Sequence, residues 1–294
     1  MNAQEPPVSG SPFGSAIRKH RWVVPLIHTL LVAGSVLFVF PMLWMLSTSL
    51  KPIDQTMAFP PRWIPHPAKW GNYLEAVRYI PFFRYTLNTL IVCGLSMVGA
   101  VCSNALVAYS FARLKWPGRD LLFGLTLATM MVPFPVVMVP LYSVFRELGW
   151  IGTLRPLWVP AFFASAFNIF LLRQFFLRVP ANLAEAAALD GAGELRIFWQ
   201  VYVPLARPAL AVIALFQFIG SWNDFLGPLL YLTDQNTFTL SLGLQFYQSQ
   251  HGGTQWHLLM AAATLTVIPV IVLFFFTQRT FLTGLTFLKN VETN

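Results

Sequence analysis

One acidic residue, Asp224, lies within a long apolar stretch in the second half of the chain. A carboxylate at membrane depth is costly, so it is expected to face protein or water and to mark a functional position. Asn223 and Trp222 beside it offer an amide and an aromatic face, and Gln217 lies two helical turns earlier on a similar face. These groups suit a polar solute such as a sugar. A structural hydrogen bond to a neighbouring helix, or a position nearer the external surface, would also explain Asp224.

A second group of polar and aromatic side chains follows, in residues 232–257, which contain neither Lys nor Arg. Glycines make this loop pliant, and its amides and aromatic rings could touch a polar ligand or a partner. The candidate contact residues are Tyr247, Gln248, Ser249, Gln250, His251, Gly252 and Gly253. A solvated hairpin accounts for the same composition.

Residues 180–207, here called the central segment, are unlike the apolar stretches on either side. Asn182 is predicted to cap a first short helix, with Glu185 reaching back as in a capping box. Gly191 is predicted to end that helix, because glycine readily adopts a positive φ. The small residues of this helix would let another surface approach closely.

The second helix of the central segment is predicted to begin at Glu194, where the helix dipole favours a negative charge, and to stop at Pro204. Its apolar face is predicted to hold Leu195, Phe198 and Tyr202, and its polar face Arg196 and Gln200. Such a helix–turn–helix suits a docking surface outside a membrane. A plain amphipathic connector lying on the bilayer is the alternative.

Six apolar stretches must position these residues, and each is predicted to form a transmembrane helix of about 20 residues. They cover residues 23–46, 86–111, 121–145, 157–172, 208–231 and 258–278. In this topology 12 of the 19 Lys and Arg residues lie on the side of the termini and the central segment, which the positive-inside rule assigns to the cytoplasm. The prediction is a cytoplasmic tail of residues 1–22, a transmembrane domain of residues 23–286 and a cytoplasmic tail of residues 287–294.

The third stretch contains three prolines, Pro133, Pro135 and Pro140. Broken helices at membrane depth often line a transport pathway, because the backbone groups that lose their helical hydrogen bonds need other polar partners. A kinked helix that only packs against its neighbours explains these prolines equally well.

Composition excludes several classes of protein. With 294 residues, 56% of them hydrophobic and 10% charged, the chain is far too apolar for a soluble domain, in which about 25% of residues are charged. The net charge of +8 is scattered over loops, so no stripe for nucleic acid is expected. Cys93, Cys102 and the five histidines form no metal-ligand pattern.

The central segment carries a spaced motif that resembles the EAA loop of binding-protein-dependent ABC importers, E-A-A-x3-G-x9-I-x-L-P. The matching residues are Glu185, Ala186, Ala187, Gly191, Val201, Val203 and Pro204, with the two valines replacing Ile and Leu. The resemblance implies that this loop is the coupling helix that docks into a cytoplasmic ATPase. Asp190 lies inside a further matching stretch, residues 189–195, and is included in the expected dock.

The resemblance extends to membrane subunits of carbohydrate importers of the maltose and glycerol-phosphate type. It covers nearly the whole chain except the N-terminal tail, and the residues after Thr286 depart from the family's usual ending. The matching stretches include residues 51–52, 70–73, 170–176, 221–225 and 278–279. It implies an all-α membrane protein with six transmembrane helices, a cytoplasmic helix–turn–helix coupling loop and cytoplasmic termini. Residues 247–253 would enter the cleft of a solute-binding protein.

The sequence has no G-x-x-x-x-G-K-[ST] phosphate loop, so ATP and magnesium are expected on a partner ATPase and no cofactor on this chain. The implied complex lies in the bacterial inner membrane, with a second membrane subunit, two ATPase subunits and an extracytoplasmic binding protein. The main alternative is an ion-coupled secondary carrier, for which one aspartate is thin support. An intramembrane enzyme would need paired catalytic groups at membrane depth. A purely structural membrane scaffold is the remaining alternative.

Overall fold

The computed structural model describes residues 23–248 and 253–291, with side chains for residues 24–248 and 253–278. Eleven helices are labelled along this part of the chain. They are α1 Val23–Ser49, α2 Gly71–Tyr79, α3 Phe82–Arg113, α4 Arg119–Ala128, α5 Phe134–Glu147, α6 Ala166–Arg178, α7 Ala181–Leu189, α8 Glu194–Ile197, α9 Arg207–Asn223, α10 Leu226–Tyr231 and α11 Trp256–Val291. The predicted N-terminal tail and Ser249 to Gly252 lie outside the described residues.

Short helical pieces connect these helices. They are α-helical turns at Ile53–Thr56, Arg155–Trp158, Val203–Leu205 and Leu240–Gly243, a π turn at Phe198–Tyr202, and 3-10 turns at Thr129–Met131, Val159–Phe163, Gln235–Thr237 and Leu244–Tyr247. No strand occurs within residues 23–248 and 253–291. The prediction of an all-α protein is confirmed.

Four helical stretches are long and apolar enough to cross a bilayer: Val24–Ser49, Phe82–Arg113, Arg155–Arg178 and Trp256–Gln278. Two bent pairs raise the number to six if each pair is counted as one span. One is Arg119–Met131 with Phe134–Glu147, bent by 100°, and the other is Glu194–Leu205 with Arg207–Asn223, bent by 77°. These helices agree with the predicted multi-pass membrane protein.

The apolar stretches predicted as continuous helices are interrupted in three places. The third breaks at Val132, whose extended backbone leads into Pro133 and the 100° bend. The fourth breaks at Ala164, which has a positive φ of 61°. The fifth breaks at Asp224, whose extended ψ of 118° ends α9.

Helix α3 lies at the centre of the packing, against α9, α6 and the Val159–Phe163 turn, while α11 packs on α1, α2 and α9. Two buried clusters lie at opposite ends of α3. The Tyr85 cluster, near its start, contains Ala76, Ile80, Phe82, Tyr85, Cys93, Trp222, Leu240, Tyr247, Leu258, Ala261 and Ala262. The Tyr109 cluster, near its end, contains Tyr109, Phe111, Ile169, Leu172, Phe176, Ile197, Phe198, Tyr202 and neighbouring small residues. The loop of residues 232–257 rests on the Tyr85 cluster, and the central segment rests on the Tyr109 cluster.

A polar joint closes the first long loop beside the Tyr85 cluster. The Asn72 side-chain amide donates to the carbonyls of Ser49 at 2.8 Å and Lys51 at 2.9 Å. Lys51 is fully buried; its ammonium donates to Thr48 Oγ1 at 3.3 Å and lies 3.8 Å from the centre of the Trp44 ring. Burial lowers the pKa of Lys51. Residues 51–52 and 70–73, both singled out by the resemblance, therefore meet at one place.

Candidate functional sites in the central segment and at Asp224

The first helix of the central segment, α7, begins at Ala181 directly after Pro180. No side chain caps it, so the predicted capping role of Asn182 is wrong. The reason is the register: Pro180, with φ −57°, occupies the cap position, and Asn182 falls inside the first helical turn.

The C-terminus of α7 is a Schellman motif. Ala192 N–H donates to the Ala187 carbonyl and Gly191 N–H to the Ala188 carbonyl, both at 3.0 Å. Gly191 has a φ of 80°, which glycine adopts without steric cost. The chain therefore turns sharply at the position where the sequence predicts the end of the helix.

The second helix begins at Glu194 and runs through the π turn to Leu205, one residue beyond the predicted stop at Pro204. Pro204 lies in the first turn after the π turn, where a missing N–H is tolerated. The buried face of this helix also differs from the predicted one. Leu195, predicted on that face, is 66% exposed, and Ile197 is buried in its place.

Three large apolar side chains of the central segment are exposed. Leu189 is 89% exposed, and Leu195 and Trp199 are each more than half exposed. Around them, the motif residues Glu185, Ala186, Asp190 and Gly191 are also exposed, whereas Ala187, Val201 and Pro204 are half-buried. We call Leu189, Leu195 and Trp199 the apolar crest; exposed apolar side chains grouped this way typically mark an interaction site.

The underside of the central segment rests on the Tyr109 cluster. The Tyr109 ring centroid lies 5.1 Å from that of Phe198 and 5.0 Å from that of Tyr202. The Tyr109 hydroxyl donates to Glu194 Oε2 at 2.7 Å, a charge-assisted hydrogen bond. Aromatic rings at such distances and tilts stabilise a buried contact beyond the area they bury.

Two arginines join α3 and α6 at the same end by exchanging hydrogen bonds. Arg113, in the last turn of α3, donates to the carbonyls of Phe176 and Val179 at the end of α6, and its guanidinium lies 5.1 Å from the Tyr202 ring centre. Arg173, on α6, donates in return to the Phe111 carbonyl of α3 at 3.3 Å. Each arginine thus satisfies carbonyls at the negative end of the other helix.

Tyr109, Arg113 and Glu194 were not among the site residues predicted from the sequence. Arg113 is one of the 12 basic residues that the predicted topology places on the cytoplasmic side, and Glu194 is predicted only as the start of a helix. The available signal was the four-residue spacing of Tyr109 and Arg113, which places both on one face of α3. Their partners are 63 to 85 residues away, so that spacing could not identify them.

The second candidate site is a cleft of about 420 Å³ between α5, residues 155–160 and the break after α9. Its walls are almost entirely apolar, with one carboxylate and one phenol. The lining includes Phe134, Leu141, Phe145, Leu157, Asp224 and Tyr231. Asp224, the acidic residue that the sequence singles out, therefore lies at a cleft next to the bent third stretch.

Asp224 also has a structural role. Its Oδ1 accepts a hydrogen bond from Gly227 N–H at 3.0 Å, which satisfies one free amide of α10. A Cβ at Gly227 would lie 2.4 Å from Asp224 Oδ2, so only glycine lets the carboxylate approach this closely. Asp224 therefore both lines the cleft and makes a structural hydrogen bond three residues along the chain.

The three other candidates near Asp224 lie outside the cleft lining. Trp222 is 3% exposed, donates from Nε1 to the Thr266 carbonyl at 3.3 Å, and stacks on Phe218. Gln217 donates to Ser221 Oγ at 3.2 Å, and the exposed Asn223 donates to the Ile219 carbonyl at 2.9 Å. Trp222 is thereby corrected from a solute-facing ring to a packing residue against α11.

The candidate contact loop begins with a buried anchor. Tyr247 is fully buried, its hydroxyl donates to the Ala76 carbonyl at 2.7 Å, and its ring stacks 5.2 Å from Tyr79. Burial raises its pKa. The structure thus corrects the role expected of Tyr247, because a ring packed under the loop is not presented to a partner. Gln248 and Gly253 are exposed, and Ser249, Gln250, His251 and Gly252 lie outside the described residues.

Within the residues that the structure describes, no group of three His, Cys, Asp or Glu side chains could hold a metal ion. The polar groups described above are hydrogen-bonding and packing groups. The chemistry available to them is recognition and mechanical connection.

Comparison with known proteins assigns this architecture. Residues 104–285 match the family described as binding-protein-dependent transport system inner membrane component. The chain is 35% identical over 268 residues to the diacetylchitobiose uptake system permease protein NgcG of Streptomyces coelicolor, covering 90% of this chain and 88% of NgcG. It is 33% identical over 276 residues to the sn-glycerol-3-phosphate transport system permease protein UgpE of Yersinia pestis, covering 92% and 98%. The match with the arabinooligosaccharides transport system permease protein AraQ of Halalkalibacterium halodurans is 31% over 272 residues, covering 89% and 96%.

A solved structure shares the fold. A chain of a bacterial ABC transporter involved in the import of the acidic polysaccharide alginate superposes with a TM-score of 0.79 at 24% identity, covering 89% of this chain and 97% of that one. The chain therefore belongs to the family of binding-protein-dependent transport system inner membrane components, and it is a multi-pass, non-catalytic membrane subunit of an ABC importer.

Proposed function

We propose that this chain forms part of the path for a sugar or related polar solute and couples to a separate ATPase through the central segment. The diacetylchitobiose, glycerol-phosphate and arabinooligosaccharide permeases among its relatives support this solute class. The complex would contain a second membrane subunit, two ATPase subunits binding ATP and magnesium, and an extracytoplasmic solute-binding protein. A second structure with this fold is an alginate transporter in complex with an alginate pentasaccharide-bound periplasmic protein, which supports the last partner.

The single observation that carries the proposal is the apolar crest. Leu189, Leu195 and Trp199 project from a short turn whose underside is fixed on the Tyr109 cluster. Such a surface costs free energy in water and is relieved by docking into a partner cleft. Glu185, Ala186, Asp190 and Gly191 surround it, so the motif residues and the crest form one surface for the ATPase.

In the proposed topology six spans cross the membrane, with both termini and the central segment in the cytoplasm. ATP closes the ATPase dimer, the docked central segment follows, and the helices rock about the solute path. ATP and magnesium bind only the partner, which leaves this chain the mechanical part of the cycle.

The solute path would include the cleft at Asp224, supported by the bent third stretch beside it. Asp224 and the Tyr231 hydroxyl supply the polar groups, and the apolar walls suit the faces of a sugar ring. Gln217 and Asn223 are proposed for a neighbouring part of the path. On the outer side, residues 248–253 are proposed to contact the solute-binding protein, with Tyr247 anchoring their base.

The test is affinity purification of the tagged chain from its native membrane, comparing wild type with Gly191→Asp. Gly191 has a positive φ, and no atom lies within 4 Å of where a Cβ would stand, so aspartate adds backbone strain and charge beside the crest. We expect co-purified ATPase to fall about tenfold, the effect of ~1.4 kcal/mol of lost docking free energy.

Gly149→Asp is the matched control, because Gly149 also has a positive φ and open space, but follows α5 at a different loop. It should leave the ATPase bound. If no nucleotide-binding partner co-purifies with wild type, or if Gly191→Asp retains it fully, the proposed dock is wrong.

A further inference from the structure

The central segment needs a firm connection to the transmembrane helices if its movement is to reach the solute path. Its backbone joins the bundle at residues 179–181 and 206–207, where the chain turns. Between those ends, within residues 23–248 and 253–291, one side chain–side chain hydrogen bond links the segment to the rest of the protein: Tyr109 to Glu194. The remaining side-chain contacts are the packing of rings and small side chains, and the Arg113 guanidinium 5.1 Å from the Tyr202 ring centre.

Helix α3 is the appropriate element to receive that movement. Its C-terminal turns hold Tyr109, and its other end lies at the Tyr85 cluster, so the helix runs between the two clusters. Along the way it packs against α9 and against residues 159–163, which continue from the wall of the Asp224 cleft. A rigid helix held at its end therefore carries a displacement to the cleft without bending.

The arginine exchange makes α3 move together with α6. Arg113 holds the carbonyls of Phe176 and Val179, and Val179 directly precedes the central segment. Arg173 holds the carbonyl of Phe111 on α3. A force that acts on α3 through Tyr109 is therefore also transmitted to α6, the helix that precedes the central segment.

We propose that the hydrogen bond from Tyr109 to Glu194 is the joint through which the central segment drives α3. The proposal rests on the proposed function and adds to it. Tyr109 and Glu194 are positioning residues: neither belongs to the apolar crest, and neither lines the Asp224 cleft. Their role is to make two parts of the chain move as one body.

The experiment measures the accessibility of the Asp224 cleft, which neither Tyr109 nor Glu194 lines. Leu141 lines the cleft, so Leu141→Cys in a Cys102→Ala background reports its accessibility to a maleimide; the native Cys93 is buried. The complex purified with its ATPase is labelled with and without a non-hydrolysable ATP analogue. In otherwise wild-type protein the labelling rate should change with nucleotide.

Tyr109→Phe removes one oxygen and keeps the ring in its cluster. We expect the nucleotide-dependent ratio of labelling rates to fall about fivefold, the scale of a lost charge-assisted hydrogen bond at a partly buried site, while the amount of co-purified ATPase stays unchanged. Tyr202→Phe is the matched control, since Tyr202 is buried in the same cluster and its hydroxyl makes no hydrogen bond within the described residues.

Glu194→Gln supplies the second variant. It should reduce the ratio as well, and adding it to Tyr109→Phe should have no further effect, because both changes act on one bond. Three outcomes would contradict the proposed joint. They are a wild-type ratio of labelling rates in Tyr109→Phe, additive effects of the two substitutions, and an equal loss in Tyr202→Phe. Loss of the ATPase from otherwise wild-type protein would instead contradict the proposed function.

Discussion

The two ends of α3 hold their covering segments in different ways. At the Tyr85 cluster, polar side chains of α3 bond the backbone of the chain that returns over it. The Asn88 amide donates to the carbonyls of Asn236 and Phe238, both at 2.9 Å, and Leu240 N–H donates to Thr89 Oγ1 at 2.8 Å. Each bond fixes a particular backbone atom.

At the Tyr109 cluster, the central segment is held mainly by rings packed edge to face or tilted against each other. Tyr109, Phe176, Phe198 and Tyr202 pack with centroids 5.0–6.2 Å apart. Within the described residues, α3 adds one side chain–side chain hydrogen bond to the central segment, Tyr109 to Glu194, and the Arg113 guanidinium lies 5.1 Å from the Tyr202 ring centre. Packed rings can shift by small sliding movements, whereas a set of backbone hydrogen bonds resists them.

The comparison assigns the two ends different mechanical roles. The Tyr85 end is a fixed frame. The Tyr109 end is a seat whose rings allow small sliding movements, with the Tyr109–Glu194 bond joining the central segment to α3. Changes at the frame should lower the stability of the protein. Changes at the seat should alter communication with the ATPase at a small cost in stability.

The largest loss of stability is expected from Asn88→Leu. The substitution leaves the half-buried Phe238 carbonyl without its donor, a loss of about 1–3 kcal/mol, whereas the exposed Asn236 carbonyl keeps the bond from Arg84 Nε at 3.1 Å. We expect the free energy of unfolding to fall by about 2–3 kcal/mol, measured by denaturant titration in detergent micelles. Asn223→Leu, which removes only a bond to its own helix, should cost far less. Equal losses would contradict the fixed frame.

A smaller loss is expected from Gly243→Ala. An added Cβ would lie 2.4 Å from Cδ2 of Tyr85, whose ring is buried and has no room to move. Overpacking of this kind costs about 1–3 kcal/mol and should lower the melting temperature by several degrees. The control is Gly193→Ala in the central segment, where no atom lies within 4 Å of the added carbon. If both variants melt alike, packing does not distinguish the two ends.

Tyr247→Phe should cost about 1–2 kcal/mol, because the Ala76 carbonyl loses the buried hydroxyl that donates to it. Tyr142→Phe is the control, since Tyr142 is partly exposed and makes no hydrogen bond within the described residues. Thermal unfolding followed by circular dichroism compares the two. Unchanged stability of Tyr247→Phe would show that the ring alone anchors the loop.

The smallest effect is expected at Lys51, beside the Tyr85 cluster. Burial lowers its pKa from the usual 10.5, so between the lowered folded value and 10.5 the unfolded chain binds more protons than the folded one. Wild-type stability should therefore rise with pH across that window. Lys51→Met should abolish this rise in stability with pH. At pH 7 its free energy of unfolding should equal that of wild type or exceed it by about 1 kcal/mol or less. Melting temperatures at neutral and alkaline pH test this; an unchanged pH dependence in the variant would exclude Lys51 as its source.

The sequence predicted most of the elements and part of the central segment. Apolar length placed the long helices, and Gly191 marked the end of α7 because a positive φ selects glycine. The π turn at Phe198–Tyr202 could not be predicted, since it widens the helical turn without a sequence signal. Leu195 lies at the surface and Ile197 in the core, although both precede that turn.

The roles of the candidate site residues were harder to predict, because composition does not distinguish an exposed aromatic ring from a buried one. Tyr247 and Trp222 were predicted at contact surfaces, yet both have a polar atom that bonds a backbone carbonyl on another helix. Their partners, Ala76 and Thr266, are identified only by the tertiary fold. The exchange between Arg113 and Arg173 was hidden for the same reason.

That exchange has a consequence for how the protein is made. Helix α3 leaves the ribosome well before Arg173, so its Phe111 carbonyl lacks its partner while the chain is still being synthesised. An unpaired carbonyl is costly in lipid, and the newly inserted helix must keep this end at the hydrated surface until α6 arrives. The end of α3 is therefore completed late in biosynthesis, and the same insertion of α6 prepares the place where the central segment will rest.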